Sequence, residues 1–254
     1  MKREYSYGSV ILVEIIIAVL AFGLYMAFGD KANESVIYSI FSSIITWLGS
    51  FIIASALINN RKGSIGDYLN QIGRLDKKAI IVNLLLIAIT VLLTVAFGGG
   101  AGLAAVKDNP LGILSAGLLG TILGGILSIF TAYANHIVSD PRNKDQSIMD
   151  AFKSVFSIGA KLFGKTILLY FLYIVLPIIL IFGIIVGISV GTKSPEMGIG
   201  IIILGGGILG IYIFLISPLI AARLADNYLN LTGDIEEENK NIENQDDFTI
   251  TRNV

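Results

Sequence analysis

The chain has no cysteine, one histidine, one tryptophan and five prolines in 254 residues, and only 15% of its residues are charged. The missing cysteines exclude disulfides, thiolate metal sites and a cysteine nucleophile. A lone histidine, His136, excludes a multi-histidine metal centre, and the carboxylates are too scattered to build one instead. No metal or cofactor is therefore expected. The chain also lacks a nucleophile motif, paired catalytic carboxylates and a basic-aromatic nucleic-acid signature, so neither catalysis nor nucleic-acid binding is expected. Gly98–Gly100 and Gly205–Gly207 lack the Lys-Ser/Thr ending of a phosphate loop. Charge is scarce where a soluble domain carries it at about a quarter of its positions, and with 54% hydrophobic residues most of this chain needs a solvent other than water.

What the sequence does have is long apolar runs: 9–28, 36–58, 79–97, 111–138, 166–190 and 198–222. Each is long enough to cross about 30 Å of hydrocarbon at about 1.5 Å per residue. Fifteen of the 18 Lys and Arg residues fall before the first run, in the second and fourth loops, or after the last run; Lys31, Lys107 and Lys193 alone occupy the other three loops. The positive-inside rule then places both termini and the two long loops in the cytoplasm. The expected fold is all-α: a six-helix transmembrane bundle over 1–223, N-in and C-in, and an acidic cytoplasmic tail over 224–254 whose run EEENKNIENQDD reads as disordered. Lys2 and Arg3 precede an apolar stretch too long for a cleaved leader and without a small-x-small site, which reads as a retained signal anchor.

Each long loop contains an amphipathic segment expected to lie in the membrane interface. In the first, over 64–75, Ile65, Tyr68, Leu69, Ile72 and Leu75 share one helical face. The second, over 147–163, aligns Ile148, Phe152, Val155 and Phe156. Ser64 with Asp67, and Ser147 with Asp150, have the spacing of a capping box. The repeated Ser-Ile-x-Asp start has two readings, a degenerate internal duplication or two independent helix starts.

Four polar residues sit at similar depth in the apolar runs: Glu14, Asn83, Asn135 and His136. Glu14 either snorkels to the interface or joins the other three in a cluster able to hold a cation or proton, because a carboxylate in hydrocarbon costs about 2.5–3.5 kcal/mol unless it faces a polar interior. His136 reads as an interfacial residue when taken alone. Ser39, Ser42, Ser43, Thr46, Gly49, Ser50 and Ala54 form a small, hydroxylated strip suited to helix packing or to lining a polar path. Gly120/Gly124, Gly183/Gly187/Gly191 and Gly206/Gly210 carry the small-xxx-small packing pattern. Pro177 and Pro218 lie inside apolar runs and should kink their helices, as hinges or as static bends. Arg223, Asp226 and Tyr228 read as interfacial anchors.

The stretch SIMDAFKSVFSIGAKLFGKTILLYFLYIVLPIILI, a basic amphipathic helix running into a span with an internal proline, resembles a group of bacterial six-span proteins. These include the membrane domains that accompany glycerophosphodiester phosphodiesterases and their stand-alone relatives. The resemblance implies a helical bundle in a bacterial plasma membrane and no catalytic residue, since the phosphodiesterase domain is not in this sequence. The expected function is non-enzymatic: a transport-associated or complex-forming membrane component that meets the lipid bilayer and a cytoplasmic or membrane protein partner through 64–75 and 147–163. The alternative is an autonomous transporter of a small solute or ion that uses the Glu14 cluster.

Overall fold

Backbone groups inside long apolar segments have no water to bond to, so they must satisfy one another within helices. The computed structural model, which describes residues 3–29, 36–94, 110–191 and 195–235, is helical with no strand among those residues. Its elements are α1 (Tyr7–Phe28), α2 (Val36–Asn59), the short α3 (Ile65–Leu69) with a 3₁₀ turn (Asn70–Arg74), α4 (Lys77–Thr94), α5 (Pro110–Thr131), α6 (Ala134–Ser139), α7 (Ile148–Tyr170), α8 (Leu176–Gly191) and α9 (Pro195–Thr232). Five helical stretches among the described residues are long and apolar enough to cross a membrane: Tyr7–Phe28, Ile37–Asn59, Ile122–Ser139, Ile148–Gly191 and Gly200–Thr232. The third expected run, 79–97, coincides with α4 as far as Thr94. Most of the three short loops lies outside the described residues.

The N-terminal segment, both long loops and the end of α9 meet at one end of the bundle. The Ser6 N–H donates to the Arg61 carbonyl at 3.0 Å, and Arg61 Nη2 pairs with Asp226 Oδ1 at 2.7 Å. Lys78 Nζ donates to the carbonyls of Asn143 and Lys144, joining the start of α4 to the second long loop. The tightest apolar core lies just beneath this charged end, where Phe51, Leu57, Tyr68, Tyr133, Ile137 and Tyr228 are fully or almost fully buried. Farther along the helices, Val19, Phe22, Val190 and Ile203 are exposed. Such exposure carries little penalty where the surrounding medium is lipid.

The two loop starts share a serine N-cap, completed as a reciprocal box only at Ser64, and then diverge. Ser64 Oγ accepts from the Asp67 N–H while Asp67 accepts from the Ser64 N–H, and Ser147 Oγ likewise accepts from the Asp150 N–H. After Leu69 the first loop tightens into its 3₁₀ turn, and the Asp76 carboxylate starts α4 by accepting from the Ala79 N–H at 2.7 Å. The second has no such breaker. The segment expected as a separate interfacial helix over 147–163 is instead the first part of a rod that runs to Gly191, interrupted only by a π-helical turn at Phe171–Val175.

Two further expectations change. The tail boundary expected at 223/224 falls within α9, and Leu224, Ala225, Asp226, Tyr228, Leu229 and Ile235 are buried; residues 236–254 lie outside the described residues. Gly233, at φ 90°, ends the helix, with its N–H donating to the Leu229 carbonyl. Six glycines of the expected packing motifs make no close contact either. A Cβ at Gly124, Gly183, Gly187, Gly191, Gly206 or Gly210 would meet nothing within 4 Å. Among the described glycines within helices, the close approaches occur at Gly49 against Ile17, Gly205 against Ile185 and, most tightly, Gly159, where a Cβ would lie 1.9 Å from the Phe130 carbonyl oxygen.

Candidate functional site

Three of the four expected cluster residues come together. Glu14 on α1, and Asn135 and His136 on α6, line one cavity of about 370 Å³ whose remaining wall is largely aliphatic, from Ile53 on α2, Ile174 in the π turn and Ile213, Ile216 and Ile220 on α9. The turn at Ala132 and Tyr133 separates α5 from α6, and Ala132 itself lines the cavity. Asn83 does not take part. Its Nδ2 donates to the Ala79 carbonyl of its own helix at 2.9 Å, and it is buried away from the cavity lining.

Glu14 does not snorkel freely. Both of its carboxylate oxygens lie 2.6 Å from Ser217 Oγ on α9, and no cationic side chain within ion-pair distance is found for it among the described residues. Across the cavity, Asn135 Oδ1 accepts from Trp47 Nε1 at 3.3 Å, which turns its amide. His136 is 4% exposed rather than interfacial. Its ring lies between those of Tyr133 and Tyr228, at centroid distances of 6.0 and 5.7 Å, and neither ring nitrogen has a hydrogen-bond partner among the described residues. Glu14 and His136 thus line the same cavity, with both His136 ring nitrogens buried and without a partner among the described residues.

A second cavity, of about 450 Å³, adjoins the first and shares Glu14, Ser50, Ile53, Ile213 and Ser217 with it. Thr46 and Gly49 line this one, so the hydroxylated strip of α2 serves two purposes: Gly49 admits Ile17 of α1, and Thr46 and Ser50 face the open volume. Thr46 and Ser50 hydroxyls donate back to the carbonyls of Ser42 and Thr46.

Both prolines free a carbonyl four residues earlier, because proline has no N–H to donate. At Pro218 the freed acceptor is Phe214 O, which lies 3.0 Å from Ser217 Oγ, and the adjacent Leu215 carbonyl accepts from the Tyr7 hydroxyl at 2.7 Å. At Pro177 it is Tyr173 O, which receives the Tyr212 hydroxyl. Ser217 was missed in the sequence reading; a serine immediately before an intrahelical proline, one turn from the orphaned carbonyl, is the signal that marks it.

The charged end also differs from its expected role as a set of anchors. Asp226, 5% exposed, faces three guanidinium groups: Arg61 at 2.7 Å, Arg223 at 3.5 Å and Arg3 at 3.8 Å. Arg61 also donates to the carbonyls of Glu4, Leu57 and Ala222, and burial lowers its pKa against the opposing pull of Asp226. Tyr228 donates to Asp140 Oδ2 at 2.7 Å, and Asp140 is held in turn by Arg142. These groups close the bundle end. Among the described residues no cluster of acidic or histidine side chains could hold a metal ion. Comparison of the chain with family models, with curated proteins and with solved structures returns no match.

Proposed function

We propose that this chain is a non-enzymatic, multi-pass transport protein of a bacterial plasma membrane, with its basic loops toward the cytoplasm, and that the cavity at Glu14 binds its cargo. The cargo is a small solute with a cationic or hydrogen-bond-donating group for Glu14 and a polar group for His136 or Asn135, separated by an apolar body. The observation that carries this reading is the unpaired Glu14 carboxylate facing the same aliphatic cavity as the unpartnered His136 ring. A buried carboxylate in an apolar span is costly unless a ligand or polar path uses it. Purified protein reconstituted in liposomes and exposed to a panel of alkylamines and alkali cations on a solid-supported membrane tests it. One class of probe should evoke charge movement that Glu14→Ala abolishes; equal currents in the variant would remove Glu14 from the function.

A second reading, a component that docks a protein partner through its loops, draws support from Leu69, Ile72 and Met149, which are exposed near the charged end. Deleting 64–75 would be a poor test, because Tyr68 is in the core and Gln71 Oε1 accepts from the Ser55 hydroxyl. Leu69→Asp with Ile72→Asp is the cleaner variant. Loss of a co-purifying partner from a folded double variant would support docking, and unchanged recovery would count against it.

A further inference from the structure

The hydroxyl of Ser217 has one proton and three acceptors in reach. Glu14 Oε1 and Oε2 are each 2.6 Å away, and Phe214 O, the carbonyl orphaned by Pro218, is 3.0 Å away. If Glu14 is ionised it can only accept, so Ser217 donates to it and Phe214 O is left without a partner. If Glu14 is protonated, its own O–H donates to Ser217 Oγ, and Ser217 is free to donate to Phe214 O. Only the protonated state satisfies all three groups, and a carbonyl left without a donor favours the state that supplies one.

From this geometry we infer that Glu14 and Ser217 form a proton-binding site whose occupancy sets the bend at Pro218, so that a proton is the coupling ion of the transport cycle. The inference rests on the transport reading above and names its second substrate. Protonation of Glu14 by water reaching the cavity turns Ser217 toward Phe214 and closes the hydrogen-bond gap in α9. Release of that proton, or its replacement by a cationic cargo, turns Ser217 back to the carboxylate and leaves the kink with one bond fewer. Pro218 lies between the lipid-exposed length of α9 and its anchored end at Asp226, so a change of bend there moves one part against the other.

Few other groups compete for this proton. On α1 itself, Tyr7 is occupied with Leu215 O. α2 presents Ser50 and Ile53 to the site, and its terminal neighbour Arg61 is paired with Asp226. On α3, Tyr68 donates to Arg61 O, and the Asp67 carboxylate, which lines neither cavity, accepts from the Ser64 N–H of its own cap. On α9, Arg223 and Asp226 face each other and Arg3. His136 is the other titratable group that lines the cavity.

The chain has no cysteine, so paired labels can be placed without background. Spin labels at Ile203→Cys and Leu231→Cys, both exposed and on opposite sides of Pro218, report the bend, and the infrared C=O stretch of a protonated carboxylic acid, assigned by its loss in Glu14→Gln, reports the proton. In lipid nanodiscs the band should rise as pH falls and the distance distribution should shift with it. Glu14→Gln, whose amide donates to Ser217 as a protonated acid would, should be fixed in the low-pH distribution at every pH. Ser217→Ala should keep the titrating band and lose the shift. A band that does not titrate across the pH range of the folded protein, a shift that persists in Glu14→Gln, or a static wild-type distance over a titrating band would each overturn the inference. Neither readout needs cargo: amine-evoked currents with a flat band would leave transport standing without proton coupling, while a titrating band and moving bend with no current for any probe would leave the proton site and overturn transport.

Discussion

The Tyr212 hydroxyl on α9 donates to the Tyr173 carbonyl at 2.8 Å, supplying the donor that Pro177 cannot. The π-helical turn at Phe171–Val175 sits at the same place, so the local loss of helical register and the cross-helix bond have one cause. Replacing Tyr212 with Phe keeps the ring and orphans the carbonyl. Interhelical bonds in membrane proteins average about 0.6 kcal/mol and reach about 1.7. Tyr212→Phe should therefore lower resistance to unfolding by an amount in that range, measured by steric trapping or by denaturant titration in mixed micelles; a wild-type result would mean that another donor reaches Tyr173.

Gly159 makes a sharper prediction. Its missing Cβ would sit 1.9 Å from Phe130 O, a backbone atom that cannot turn aside. Gly159→Ala forces α7 away from α5, and overpacking of this kind costs about 1–3 kcal/mol. Gly187→Ala is the control, since nothing lies within 4 Å of that position and alanine favours the helix by about 1 kcal/mol over glycine. Melting followed by the single tryptophan, Trp47, should drop for the first variant and hold or rise for the second.

These glycines also show where sequence reasoning stops. Helix starts were legible because Ser64 and Asp67, or Ser147 and Asp150, interact across three residues of the same chain. The apolar runs were legible because composition alone decides whether water can solvate them. Which glycine meets a neighbour depends on how each helix is rotated in the bundle, and the spacing of Gly183, Gly187 and Gly191 says nothing of that. The site followed the same division. Depth along the spans was enough to bring Glu14, Asn135 and His136 to one cavity, but not to show that Asn83 turns back on its own helix or that Ser217 lies opposite Glu14. Asp226 and Tyr228 were read as anchors because they follow an apolar run, whereas the helix continues past them to Thr232 and buries both.

Asp226 and Arg61 are buried together, and breaking such a pair from one side leaves a charge without compensation, at about 3–5 kcal/mol. Asp226→Asn should be the more harmful single change, because it strips the counter-charge from the buried Arg61 and from Arg223 at once, while Arg3 keeps Asp234 at 2.8 Å. Arg61→Met leaves Asp226 two guanidinium groups. Unfolding free energies of the two variants, measured side by side in the same detergent, should rank in that order; the reverse ranking would show that the carbonyls held by Arg61 matter more than the charge it neutralises.

Alkaline pH offers a test of the loop end. Burial pushes the Tyr68 hydroxyl up to about 12 from an ordinary 10, and the group donates to the Arg61 carbonyl at 2.9 Å. A phenol whose pKa is raised in the folded state contributes stability that is fully present below its unfolded value and lost as pH climbs through the folded one. The wild-type protein should therefore lose stability between pH 10 and about 12. Tyr68→Phe cannot ionise there, and although Tyr5 is also raised by burial and continues to contribute, the slope should be shallower in the variant. Phenolate absorbance recorded alongside unfolding would show one late-titrating tyrosine missing from the variant. Identical slopes in the two proteins would mean that Tyr68 is hydrated in the folded state, and that the 64–75 segment opens from the bundle end before the rest unfolds.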